Sequence, residues 1–188
     1  MTRMTGFFLI AATWIGLSGA AEAKTWTIDY SHSHLGFIGK QGDTAFDGSF
    51  KKFTATVDFD PDHPEGGKIA ATVDLASATT GDDQKDSMLP QSDWFDTSKF
   101  PQAQFVSAQI RKTGTNAYEA QGMLTIKGIA KPVILPFTLV AEGDHWRAQG
   151  KTTLMRSDFN IGQGQWSDDK TVRLKVDVTV DLAAKPQP

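Results

Sequence analysis

From residue 24 onward, apolar and polar side chains alternate with a period of two over most of the chain. That period belongs to strands with one dry and one wet face. The clearest run is at the C-terminus. Val172, Leu174, Val176, Val178, Val180 and Leu182 share one parity, and Thr171, Arg173, Lys175, Asp177, Thr179 and Asp181 share the other. Ile69, Ala71, Val73 and Leu75 repeat the pattern, as do Leu124 with Ile126 and Val133, Leu135, Phe137 and Leu139. In the last of these, Ile134, Pro136 and Val140 fill the alternate positions, which predicts a strand covered on both faces.

Between Ala45 and Phe59 the parity slips. Phe46, Gly48 and Phe50 are even, whereas Phe53, Ala55, Val57 and Phe59 are odd. A straight strand cannot turn both sets inward, so a bulge or bend is expected near Lys51-Lys52. Only Asp82 to Pro101 is read as a long stretch without alternation. Asp82 is placed to cap a short helix through Met88, with Pro90 ending it, and the following segment holds Trp94 and Phe95 amid Asp and Ser. About eight long meandering strands predict an all-β fold, a closed antiparallel eight-stranded barrel with one short helix and loop insertion at its mouth. No internal repeat or linker divides the chain, and one domain over 24–184 is expected, with a frayed tail at 185–188.

Composition narrows the function. The chain has 188 residues, 22% charged and 39% hydrophobic, with a formal net charge of -3 and no cysteine. It is long enough for one full core, lacks the basic face that nucleic acid requires, and has no thiolate chemistry. Residues 1–23 read as a secretory signal peptide. Arg3 gives the charged start, Gly6 to Leu17 an apolar run too short to span a bilayer, and Ala21-Glu22-Ala23 a cleavage site. Cleavage after Ala23 and a periplasmic location are expected.

Candidate chemistry is sparse. His32 and His34 are two apart, a spacing that puts both on one face of a strand, but no carboxylate-rich motif accompanies them; hydrogen bonding of a turn at a strand start is the better reading. No nucleophile or phosphate-loop motif is present, and the adjacent acids Asp82-Asp83 and Asp168-Asp169 sit in turn-rich, solvated stretches. The expectation is therefore a non-enzyme without metal or cofactor. Arg156-Ser157-Asp158 is read as a salt bridge pinning the penultimate strand. The aromatic load, 12 Phe, 5 Trp and 2 Tyr, fits a filled barrel or a hollow one. Small residues among large ones favour a cavity: Ala71, Gly48 and Gly150 on the presumed inward faces. So do Trp94 and Phe95, placed as a lid would be.

The blocks Trp26-x-Ile28-Asp29-x-x-His32-Ser33-x-Leu35-x-Phe37, Asp93-Trp94-Phe95-Asp96-x-x-x-Phe100-Pro101-x-Ala103-x-Phe105-x-Ser107, Gly122-x-Leu124-Thr125-Ile126-x-Gly128 and Arg156-Ser157-Asp158-Phe159-x-Ile161-Gly162 occur in order. Together they resemble the YceI-like, polyisoprenoid-binding family. The resemblance implies a lipocalin-like barrel in the periplasm that sequesters an isoprenoid lipid, of quinone or polyprenyl type, as its ligand. Lys85 and Met88 depart from the Arg and His usual in the family at these positions. The Asp-Trp-Phe-Asp block also resembles a branch associated with cytochrome b561-type membrane proteins, which implies an alternative role as a redox accessory presenting a quinone to such a partner. Strand parity and the family blocks together nominate Phe37, Phe50, Phe105, Leu124, Ile126, Phe137 and Leu139 as inward ligand contacts. Trp94 and Phe95 are expected over the mouth, with Asp86 and Arg156 ordering the rim or meeting a headgroup.

Overall fold

The computed structural model describes residues 24–187. Ten strands occur in chain order: β1 Thr25–Gln41, β2 Thr44–Phe50, β3 Phe53–Asp58, β4 Lys68–Asp74, β5 Ala78–Thr79, β6 Gln102–Lys112, β7 Ala117–Ile126, β8 Ile129–Glu142, β9 His145–Met155 and β10 Lys175–Pro186. Every pairing is antiparallel. The order β10-β9-β8-β7-β6-β4-β3-β1 closes on itself through β10 and β1, giving an eight-stranded barrel, with β2 added beside β1 and β5 beside β2. Closure removes the free edges that an open sheet would expose.

The parity slip is resolved by a complete break. β2 stops at Phe50, Lys51 and Lys52 lie outside the ladder, and β3 starts at Phe53. Strand β1 is long enough to serve both pieces: its start pairs with β3 at Thr25–Trp26, and its second half pairs with β2 from Gly36 to Gln41. Between them β1 bulges, with its β10 register shifting between Asp29 and His34. Asp29 caps this bulge, accepting from Ser31 and contacting His32 Nδ1 at 2.8 Å, while Ser33 Oγ donates to the Asp29 carbonyl. The histidine segment is thus a hydrogen-bonded irregularity inside a strand rather than at its start. No cluster of three or more metal-binding side chains occurs among the described residues.

Two other expectations change. The C-terminal strand begins at Lys175, so Val172 and Leu174 precede it, and it continues through Pro186. Lys185 pairs with Thr27, Pro186 with Trp26, and Gln187 N–H donates to the Thr25 carbonyl; the stretch expected to fray is part of the barrel closure as far as residue 187. Strand β8 is not covered on both faces: Ile134 and Val140 are 49% and 44% exposed on the outer surface.

The core has two centres. Trp26, Ile28, Phe59, Ile110, Tyr118, Leu139 and Ala184 fill one end of the barrel. Phe37, Leu75, Leu89, Phe95, Ala103, Phe159 and Ile161 cluster at the other, under the helix. The first end is knit by edge-to-face rings, Phe59 on Tyr118 at 5.1 Å and Trp26 on Trp146 at 5.9 Å, and Trp26 Nε1 donates to the Phe59 carbonyl.

Candidate functional site

A cavity of about 510 Å³ runs through the barrel between the two centres. That is within the roughly 300–1,000 Å³ typical of small-molecule sites. Its wall is aliphatic and aromatic from Trp26 and Phe59 at the closed end to Phe46 and Leu154 near the mouth. Space arises where the inward positions are small. Ala71 borders the cavity, as its place among large neighbours predicts. Gly150 borders it too, but a β-carbon there would stand 2.9 Å from the Pro136 carbonyl oxygen, so this glycine chiefly lets β8 pack close. Gly48 does not border the cavity. It faces Phe37 across the β1–β2 pair, and a β-carbon on it would stand 2.1 Å from the Phe37 ring. Gly48 therefore seats Phe37 rather than opening room for a ligand.

Phe37, Phe50, Phe105, Leu124, Ile126, Phe137 and Leu139 all line the cavity, as do Trp94, Phe95 and Arg156. Asp86 does not. It lies in α1 (Asp83–Met88), where its carboxylate accepts from Thr79 Oγ1 at 2.5 Å, Thr80 N at 2.6 Å and Thr80 Oγ1 at 2.7 Å. Burial raises its pKa, and these hydrogen bonds outweigh that effect, leaving the carboxyl below its ordinary value. Asp86 is spent on tying β5 to the helix. The helix itself begins as the sequence predicts: the Asp82 side chain accepts from Gln84 N and Lys85 N.

Arg156 is not a salt bridge. It is 3% exposed and has no carboxylate within ion-pair distance among the described residues; it donates instead to the carbonyls of Ile161, Gly162, Trp166, Asp168, Val172 and Arg173. All five of its N–H groups are engaged. Desolvation lowers its pKa, opposed by Asp169 and Asp168. Its work is to fold the 156–174 segment, a second long stretch between strands that the alternation conceals. This segment and the Asp82–Pro101 loop form the mouth together. Gly162 N and Gln163 N donate to the Asp93 carbonyl, and the rings of Trp94 and Trp166 lie 5.9 Å apart.

Lys127 fastens both segments. It has φ 51° in the tight turn joining β7 to β8, and its ammonium donates to the carbonyls of Ser92 and Asn160. Desolvation lowers its pKa, with Asp96 and Asp93 opposing. A lysine in the left-handed region is uncommon, and the two carbonyls give the reason for one here. Asp96 and Asn160, the other described non-glycine residues with positive φ, also belong to the mouth loops.

The two aromatics of the mouth divide their roles. Phe95 is 8% exposed and packs with Phe50 at 6.0 Å inside the second core centre, so it partly closes the barrel end. Trp94 lies further out, half-buried, between Trp166 and the Arg156 guanidinium, which is 5.6 Å from its ring centre. Sequence reasoning missed Gln41, Gln84, Lys85 and Trp166, which also border the cavity near the mouth. Lys85 carried one signal, as a departure from the family pattern.

The YceI-like domain model matches residues 26–184. A UPF0312 protein of Photorhabdus laumondii is 31% identical, with 94% of this chain and 97% of the relative aligned. Protein YceI of Escherichia coli O6:H1 is 34% identical over 77% of this chain and 80% of its own. Among solved structures, Burkholderia cenocepacia BcnA superposes with a TM-score of 0.82 at 37% identity, covering 85% of this chain and all of BcnA. A polyisoprenoid binding domain from Saccharophagus degradans shares the fold at a TM-score of 0.65 and 12% identity, with 86% of this chain and 98% of that domain covered. The closed barrel, its apolar interior and these matches lead to one conclusion: the chain belongs to the YceI-like domain family.

Proposed function

We propose that this protein is a periplasmic carrier that holds an isoprenoid lipid, of quinone or polyprenyl type, inside the barrel. The observation that carries the reading is the cavity: about 510 Å³, walled mostly by hydrocarbon and rings, with its polar side chains gathered toward the mouth. Such a space suits a long hydrocarbon chain and offers little to a polar metabolite. Each square ångström of prenyl tail taken from water contributes about 25 cal/mol, so binding needs no chemistry beyond burial. The fold shared with the Saccharophagus degradans polyisoprenoid binding domain supports the same ligand class. No bond-making machinery is required, and Arg156, a buried charge in the cavity wall, is occupied structurally. Neither the fold nor these relatives lends support to a cytochrome partner.

Titrating delipidated protein with a short-chain prenyl quinone tests the reading. Saturable binding at one site, competed by other prenyl lipids, supports it; no binding by any prenyl lipid contradicts it. Export is tested separately. The signal segment 1–23 lies outside the described residues, and the proposal expects protein recovered from the periplasm to begin at Lys24. Recovery only from the cytoplasm, with Met1 retained, would overturn the location.

A further inference from the structure

The cavity is polar at one end only. Near Trp26, Phe59 and Leu139 its wall is formed by hydrocarbon and rings. Gln41, Thr80, Gln84, Lys85, Trp94 and Arg156 border it toward the mouth. Gln41 and Gln84 are exposed, where water serves their amides, and the polar atoms of Thr80, Arg156 and Lys85 are committed. Thr80 Oγ1 serves Asp86, Arg156 is filled with carbonyls, and Lys85 Nζ donates to Asp82 Oδ2 at 2.7 Å. In the barrel wall, Thr152 donates to the Ile134 carbonyl.

One donor stands apart. The indole Nε1 of Trp94 is buried and has no acceptor among the described residues, the only such side-chain atom there. Leaving a buried N–H unmade costs about 1–3 kcal/mol, and native proteins seldom tolerate it without a purpose. The contrast with Trp26 is direct, since that indole, at the closed end, donates to the Phe59 carbonyl. The Trp94 ring is also fixed in place, by Trp166 on one side and the Arg156 guanidinium 5.6 Å from its centre.

We propose that Trp94 Nε1 is the hydrogen-bond donor for an oxygen on the ligand's head, so that the lipid enters tail first and its head stops at the mouth. Resting on the carrier reading above, this names the head as an oxygen acceptor, either a quinone-type carbonyl or a phosphate. Trp94 is then more than an apolar cover. It reads the head and sets how deep the chain sits. Lys85, 28% exposed at its side chain and bound to Asp82, is the nearby cation that would separate the two acceptors, because it favours a charged phosphate over a neutral carbonyl.

The test uses delipidated protein and probes that share a farnesyl tail: a farnesyl quinone, farnesyl phosphate and the hydrocarbon farnesene. Trp94→Phe keeps an aromatic ring and removes the donor. The expected result is a loss of roughly tenfold in affinity for the headed probe that binds best, with farnesene unchanged. If phosphate is the native head, wild-type protein binds farnesyl phosphate more tightly than the quinone and Lys85→Met removes that preference; if a carbonyl is, the quinone binds more tightly in both proteins. Equal losses for all three probes would make Trp94 a packing residue, and no loss for either headed probe would remove the hydrogen bond; either outcome overturns the proposal. Should wild-type protein bind none of the probes, the carrier reading itself fails. A second readout does not depend on the variant folding. In proton–nitrogen spectra of wild-type protein, the Trp94 indole resonance, assigned through bonds, should move downfield with the headed probe and not with farnesene. An indole resonance that responds identically to both contradicts the assignment.

Discussion

At the scale of single residues, the site separates groups that face the cavity from groups that build its rim. Phe105 faces it. The ring lines the cavity and lies against Gly122, where a β-carbon would come within 2.8 Å of it. Phe105→Gln should lower stability by at least about 3 kcal/mol and abolish lipid uptake, because it removes a large ring and leaves an amide in an apolar interior. Thermal melting and lipid titration check both halves; an unchanged melting temperature with full uptake would mean that the side chain faces outward. Arg156 builds the rim. Arg156→Met deprives six carbonyls of a donor, and a loss of about 3 kcal/mol or more is expected in denaturant titration. A near-neutral effect would show that water replaces the guanidinium without penalty. The inward aromatics were legible in strand parity and in the family blocks. The role of Arg156 was not, because a sequence shows which carboxylates lie near an arginine and says nothing of which carbonyls a loop will turn toward it. The unpartnered indole of Trp94 was equally hidden: an aromatic in a polar loop reads as a cover, and its N–H matters only once its surroundings are known.

At the scale of elements, the mouth is two loops and a hairpin turn held by a few polar contacts. Lys127 joins all three through Ser92 and Asn160. Lys127→Ala should raise amide hydrogen exchange in residues 91–96 and 160–166 while leaving β8, β9 and β10 protected, and it should speed ligand release. Uniform exchange changes across the barrel, or none, would deny the lysine this role. Asp86 anchors the β5–α1 corner, and its folded pKa lies below its ordinary value. The stability it adds is therefore present above the unfolded value near pH 3.9 and is lost as pH falls through the lower folded value. Asp86→Asn should flatten the acid limb of a stability–pH profile and lower stability at neutral pH. A profile parallel to the wild type across the acid range would exclude a contribution from this carboxylate. Alternation announced the strands well, because a half-buried sheet writes itself as a period of two. It placed the irregularity at Lys51-Lys52 yet could not distinguish a bulge from a break, a choice decided by the length of β1, which supports a different neighbour on each half. A turn was legible around Asp168-Asp169, but the full length of the 156–174 loop was not, since Val172 and Leu174 extend the parity of β10 beyond its first ladder residue.

At the scale of the molecule, closure and hollowness belong together. Eight strands make a ring wide enough to be filled by side chains or to hold one ligand, and composition permits either. Here the small Ala71 leaves room in the middle, while Phe59 with Tyr118 closes one end and Phe95 partly closes the other. The central claim is that this space carries an isoprenoid lipid. Native mass spectrometry of protein purified from its own periplasm, with the bound material extracted and identified, tests it most directly. The account predicts one prenyl lipid per barrel, bearing an oxygen at its head. Protein that emerges empty from gentle isolation, or filled with a ligand lacking any isoprenoid chain, would contradict it.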